Sequence, residues 1–138
     1  MELNFDTGVV EYNINGKYTV RLNPTDKTFI QRLSDAFDTL EAKQKSLDDK
    51  ASRTGDKKEV FRIVSQRDAE VREILDDLFG AGMCEAVFGN MSVHALAGGL
   101  PVWVNFMLAV IDVCDSSFLK EKKLRDPRLA KYVQKYHK

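Results

Sequence analysis

The residue types that could hold a metal or activate a nucleophile are few and scattered in this 138-residue chain. Cys84, His94, Cys114 and His137 follow one another at intervals of 10, 20 and 23 residues. A structural zinc site gathers its ligands in short paired spacings, so this set argues against a zinc knuckle. His94 has neither a G-x-S-x-G elbow nor a Cys–His signature beside it, and reads as a surface or hydrogen-bonding histidine. Asp48-Asp49 and Asp76-Asp77 set carboxylates side by side, as general acid–base chemistry requires. Both pairs sit on amphipathic helices, where a solvated face explains them. Five of the eight glycines fall between Gly80 and Gly99. They carry no GxGxxG or GxxxxGK[ST] spacing and follow no strand, so they read as tight turns rather than a phosphate cradle. A segment that reorders around a partner is the functional alternative. No catalytic, cofactor-binding or metal-binding residue is assigned, and the chain is read as non-enzymatic.

Charge is distributed unevenly although the net is zero. Residues 120–138 hold eight Lys and Arg against Glu121 and Asp126, a net of +6, which leaves −6 for residues 1–119. The expected interaction surface is this basic end: Lys122, Lys123, Arg125 and Arg128 supply charge, and Leu129, Tyr132 and Tyr136 an apolar stripe. Such an end would pair with the acidic body of a neighbouring copy and make a homo-oligomer. A phosphate-binding footprint is the other use, with Tyr132 and Tyr136 stacking on bases. The acidic body and a pI near 6.7 disfavour nucleic acid. A hydrophobic content of 43% with 30% charged residues excludes wholesale disorder and suits one globular domain, 1–138. MELNFDTG has no basic leader or apolar run, so no secretory signal or membrane segment is expected. Cys84 and Cys114 are read as buried, reduced thiols of a cytoplasmic protein.

The element that must position everything else is LPVWVNFMLAVIDVC, Leu100–Cys114, in which twelve of fifteen residues are apolar. It is read as the core of a central helix over 100–123, too short in its apolar run to cross a bilayer. Pro101 falls in its first turn. Trp103, Phe106, Met107 and Val110 are expected to be buried. Asp112 and Ser116 each lie within about 20° of Asn105 on a helical projection, as a polar seam. Upstream, alternation predicts a β-ribbon over 2–22, with Asn15-Gly16 at its turn and Gly16 at positive φ. A three-residue loop, Ile14–Gly16, would set Tyr12 opposite Tyr18 and apolar face against apolar face. Leu3 and Phe5 are the candidates for a third strand that would extend the ribbon into a meander, which would pack on helices because a lone hairpin is marginal.

Amphipathic helices follow over 25–52 and 56–79, the second opening on a capping-box pattern of Asp56 and Glu59. Val60, Val64, Val71, Ile74, Leu75 and Leu78 are its expected buried stripe. Arg67 interrupts that stripe, either snorkelling out or meeting a carboxylate, for which Asp112 is the long-range candidate. A short helix, Met83–Phe88, sits within the glycine-rich 80–99, and a basic helix closes the chain over 126–137. The expected fold is α+β, mostly α: an N-terminal antiparallel hairpin or meander packed on a small helical bundle.

The order VVEYNINGKYTVRL, two amphipathic helices, MCEAVFGN, then GGLPVWVNFMLAVID and a basic end resembles the short tail assembly chaperones of long-tailed phages and prophages, particularly of Gram-positive hosts. The resemblance covers nearly the whole chain. It implies a non-enzymatic protein without cofactors that binds and solubilises the tape measure protein and assists tail tube subunits. It implies action in the host cytoplasm and absence from the mature virion. Many such proteins also have a longer, frameshifted form. The alternative is a small nucleic-acid-associated or regulatory phage protein that uses the basic C-terminal segment.

Overall fold

A computed structural model describes residues 1–122, with Lys122 by its backbone alone, and 125–136. Lys123 and His137, named above, lie outside the described residues, as does the Lys122 side chain. The expected α+β, mainly helical class is found. β1 (Val10–Ile14) and β2 (Tyr18–Leu22) form an antiparallel hairpin. Asn15 and Gly16 both have positive φ, 52° and 72°, and the Lys17 N–H donates to the Ile14 carbonyl at 2.9 Å. Those are the φ signs of a type I′ turn, which Asn-Gly favours.

The register corrects the expected one. Tyr12 faces Val20, and Tyr18 faces Ile14, so the two tyrosines are not opposite each other. The three loop residues are Asn15, Gly16 and Lys17. A two-residue slide preserves side-chain parity, so Ile14, Tyr18, Val20 and Leu22 still share the face that packs on the helices. Leu3 and Phe5 add no third strand; both are exposed.

α1 (Lys27–Arg53) starts where the Asp26 carboxylate accepts from the Thr28 N–H at 3.0 Å. α2 (Lys57–Phe79) is capped likewise by Asp56 on the Lys58 N–H. Glu59 does not complete a capping box, because Arg62 one turn on holds its carboxylate. The pairs Lys43–Glu70 and Arg32–Asp77 run in opposite order along the two helices, which makes them an antiparallel hairpin. Only Val71 and Leu75 of α2 are fully buried. Val60 and Val64 stay half-covered because the tip of the hairpin extends past the core.

α3 (Met83–Phe88) has the expected bounds, and all five glycines of the 80–99 stretch have positive φ. β3 (Leu96–Ala97) pairs with β4 (Leu100–Pro101), so Pro101 ends a strand instead of opening a helix. α4 (Val102–Lys122) then begins against the preceding loop, whose Ala95 and Val93 carbonyls accept from the N–H groups of Val102 and Trp103. These contacts satisfy donors that a helix start leaves free.

Trp103 and Met107 are buried as expected, but Phe106 and Val110 are only half-buried. The seam of Asn105, Asp112 and Ser116 faces water. α4 is therefore a core helix on one side and a surface helix on the other. Val102–Glu121, with mean hydropathy 1.5, is long and apolar enough by composition to cross a membrane, contrary to the shorter reading from Leu100–Cys114. Core helices pass the same test, and Trp103, Met107, Ile111, Cys114 and Phe118 of α4 are in the core.

The largest correction concerns α5 (Pro127–Tyr136). Leu129 and Tyr132, expected as an exposed stripe, are 0% and 1% exposed, and Tyr136 is half-buried. The Tyr132 ring stacks on Phe37 of α1, with centroids 4.6 Å apart and planes 12° from parallel. Trp103 meets the same Phe37 edge-on at 5.7 Å. Residues 127–136 thus complete the core, and deleting 120–138 should unfold the chain rather than leave it intact. Leu129→Ala should cost about 2–5 kcal/mol through lost burial and a residual cavity. Urea denaturation followed by circular dichroism checks this: the midpoint should fall with little change in slope.

Candidate functional site

The residues with chemical potential are held in structural roles. Cys84 and Cys114 are buried, and burial pushes both thiols up to about 12. His94 Nδ1 and Trp103 Nε1 both lie 2.9 Å from Gln44 Oε1, so the amide oxygen of α1 accepts from each. Burial pushes the His94 imidazole below its ordinary range, against the opposing pull of Asp68 and Asp48. Among the described residues no hydroxyl or thiol hydrogen-bonds to the His94 ring, and no cluster of three His, Cys, Asp or Glu could hold a metal. Of the paired acids, Asp48 accepts from Gln44 Nε2 and Asp76 from the Cys84 N–H.

Arg67 meets a carboxylate, but not Asp112. Its Nη1 donates to Glu70 Oε2 at 2.8 Å, and Lys43 Nζ reaches the same oxygen at 3.0 Å. The hydrogen bonds from Lys43 and Arg67 hold the Glu70 carboxyl below the usual range. Asp112 projects from the exposed face of α4.

Among the described residues, four of the eight cations of the basic end pair with carboxylates of their own chain. Arg125 pairs with Asp115 at 3.3 Å, Arg128 with Asp126 at 2.7 Å, and Lys131 with Asp38 at 3.3 Å. Lys135 and the Tyr136 hydroxyl both engage Glu41. Lys131 and Lys135 thus lie over carboxylates of α1, and Leu129 and Tyr132 of α5 are buried rather than offered to a partner.

What remains open is a groove of about 480 Å³ between the ribbon and α4. Tyr12, Ile14, Val20 and Leu22 form its ribbon side. Phe106, Ala109, Val110 and Val113 form the α4 wall, and Phe79 and Phe88 close one end. Phe106 packs edge-on against Phe79 and Phe88, with centroids 4.9 and 6.3 Å away, which fixes that end. The polar atoms come from Asn13, Asn15, Asn105, the Tyr12 hydroxyl and the Cys114 thiol; no charged side chain lines the groove. Asn105, read above as part of a seam, donates from Nδ2 to the Ala97 carbonyl at 2.9 Å and stands at the rim. An uncharged, open, aromatic-walled groove is suited to binding apolar surface. The sequence carried one signal for it: α4 is apolar on more sides than a small core can cover.

Two outcomes check the structural roles. The thiols should resist an aqueous disulfide reagent in the native protein and react on denaturation, since the thiolate is the reactive form. The fold holds His94 neutral, so its contribution to stability is complete above the unfolded value of 6.5 and is lost as pH falls below it. Thermal midpoints should therefore decline from about pH 7.5 to about pH 5.5, and a His94→Gln variant should show a flatter profile over that window.

No curated protein matches the chain, and no solved structure does. One family model does match, over residues 15–138. The chain belongs to that family, DUF6673, whose description is a family of unknown function.

Proposed function

We propose that this chain is a non-enzymatic tail assembly chaperone that holds an apolar segment of the tape measure protein in the groove between its ribbon and α4. The observation that carries the reading is the uncharged, largely apolar lining of that groove, which is open to solvent. A long helical client exposes apolar faces before the tube forms around it, and covering them removes the drive to aggregate. The order of sequence elements supports the same reading. Its setting would be the host cytoplasm, with tail tube subunits as later partners and no place in the mature virion.

The nucleic-acid alternative rested on a free basic end. Arg125, Arg128, Lys131 and Lys135 are each paired with a carboxylate of the same chain, which takes four of its eight cations out of a free basic face.

Co-expression with the tape measure protein tests the proposal. The wild-type chain should raise the soluble fraction of the client, and Ala109→Glu should abolish that gain. Ala109 is exposed at the groove wall, so the substitution should shift stability by no more than about 0.5 kcal/mol. Solubilisation by Ala109→Glu and Val110→Glu at the wild-type level would end the proposal.

A further inference from the structure

We propose that, without a client, the groove is filled by residues 1–6 of a second copy of this chain, laid as an extended strand along the free edge of β1. The inference rests on reading the groove as the binding site and adds what regulates access to it.

The segment has the pattern of a half-buried strand. Met1, Leu3 and Phe5 alternate with Glu2, Asn4 and Asp6, a period of two. In its own chain this apolar set touches nothing that covers it: Met1, Leu3 and Phe5 are 126%, 88% and 76% exposed. Its base, by contrast, is firmly built. The Gly8 N–H donates to Asp6 Oδ1 and Asn23 Nδ2 donates to the Thr7 carbonyl, both at 2.8 Å. Gly8 has φ of 71°, and a Cβ there would lie 2.7 Å from Asn23 Nδ2. A pinned turn thus presents an uncovered apolar arm to water.

The groove has the form that receives a strand. β1 contributes the consecutive residues Tyr12 to Asn15 to its lining, whereas β2 contributes only the alternate Val20 and Leu22. Consecutive residues line a cavity when a strand meets it edge-on, and β1 pairs with no strand but β2 among the described residues. An added strand would bond to that edge, turn Leu3 and Phe5 toward Phe106 and Val110, and leave Glu2 and Asn4 in solvent. The arm of the same chain is held elsewhere. Thr7 and Val9 line a second cleft with Arg21 and Asn23, which adjoins the groove at Val20, Leu22 and Phe79, and neither Thr7 nor Val9 lines the groove itself. The occupant is therefore a second copy. A client that enters the groove displaces the arm, so self-association and client binding exclude each other.

Light scattering on the purified full chain across a concentration series provides the test. The wild-type mass should rise above the 15.7 kDa of one copy. Leu3→Glu with Phe5→Glu should weaken association by more than about tenfold, because each side chain loses its burial. Those positions are outside the core, so the variant should keep the wild-type circular dichroism spectrum and, at dilutions where both are monomeric, the wild-type thermal midpoint. In a second arm, copies carrying Phe5→Cys are mixed with copies carrying Ala109→Cys and oxidised, and a disulfide between the two kinds of copy is expected. A monomeric wild type, association that survives the arm substitutions, or a disulfide formed only within a single chain carrying both cysteines would each overturn the proposal. The client reading is judged separately, by solubility on co-expression, so one can fail while the other stands.

Discussion

The stack of Tyr132 on Phe37 is the contact on which the rest of the chain depends. Phe37 lies at the middle of α1, with Trp103 of α4 on one side and Tyr132 and Tyr136 of α5 on the other. The Tyr132 hydroxyl donates toward Asp38 at 2.7 Å and lies 3.1 Å from both the carbonyl and the hydroxyl oxygen of Ser34, so burying the ring strands no polar atom. An aromatic pair of this kind adds about 0.5–1.5 kcal/mol beyond its buried area. The Lys131–Asp38 pair above it is about half exposed on both partners, and such surface pairs contribute about 0–1 kcal/mol. Burial of Leu129 and Tyr132 therefore holds α5 in place, and the ion pairs fix which carboxylates it lies over. Two of the C-terminal cations, Lys131 and Lys135, lie over Asp38 and Glu41 of α1.

With α1 and α5 on one side of α4, the other side is left to the ribbon. Two strands of five residues span about 17 Å, whereas the 21-residue α4 is about 32 Å long. The ribbon is too short to cover the whole helix, and the groove lies between the two. Natural sheets blunt a free strand edge with charge, proline or a covering element. Here the solvent face of the ribbon bears Glu11 and Arg21, paired at 3.5 Å, while the groove side of β1 bears none.

Much of the fold was legible because its signals are local. Asp26 and Asp56 mark helix starts, the glycines mark turns, and the bounds of α3 follow from punctuation on both sides. What failed required a partner far along the chain. The 3.6-residue period shows that Leu129, Tyr132 and Tyr136 share a face, but it cannot show that Phe37, some 95 residues away, covers them. Net charge is a property of one segment, whereas the Arg125–Asp115 and Lys131–Asp38 pairs are properties of two. Strand alternation fixes parity and leaves a two-residue slide undecided. Positive φ at both Asn15 and Gly16 settled it by moving the loop one residue along. For the groove, the residues were visible and the vacancy was not.

The surplus apolarity of α4 resolves into two stripes. Trp103, Met107, Ile111, Cys114 and Phe118 recur at steps of four, four, three and four, and all are buried. Val102, Phe106, Val110 and Val113 recur at the same steps one residue earlier, and all line the groove. One residue is about 100° around a helix, so the second stripe lies beside the first rather than behind it. A helix with a single stripe would have read as amphipathic, and two adjoining stripes read as apolar throughout. Val104 and Leu108, also buried, widen the inner stripe, and Asn105, Asp112 and Ser116 occupy the sector beyond them, which is exposed. Because the two stripes share a backbone but not side chains, the inner one can be held for stability while the outer one is left free to bind.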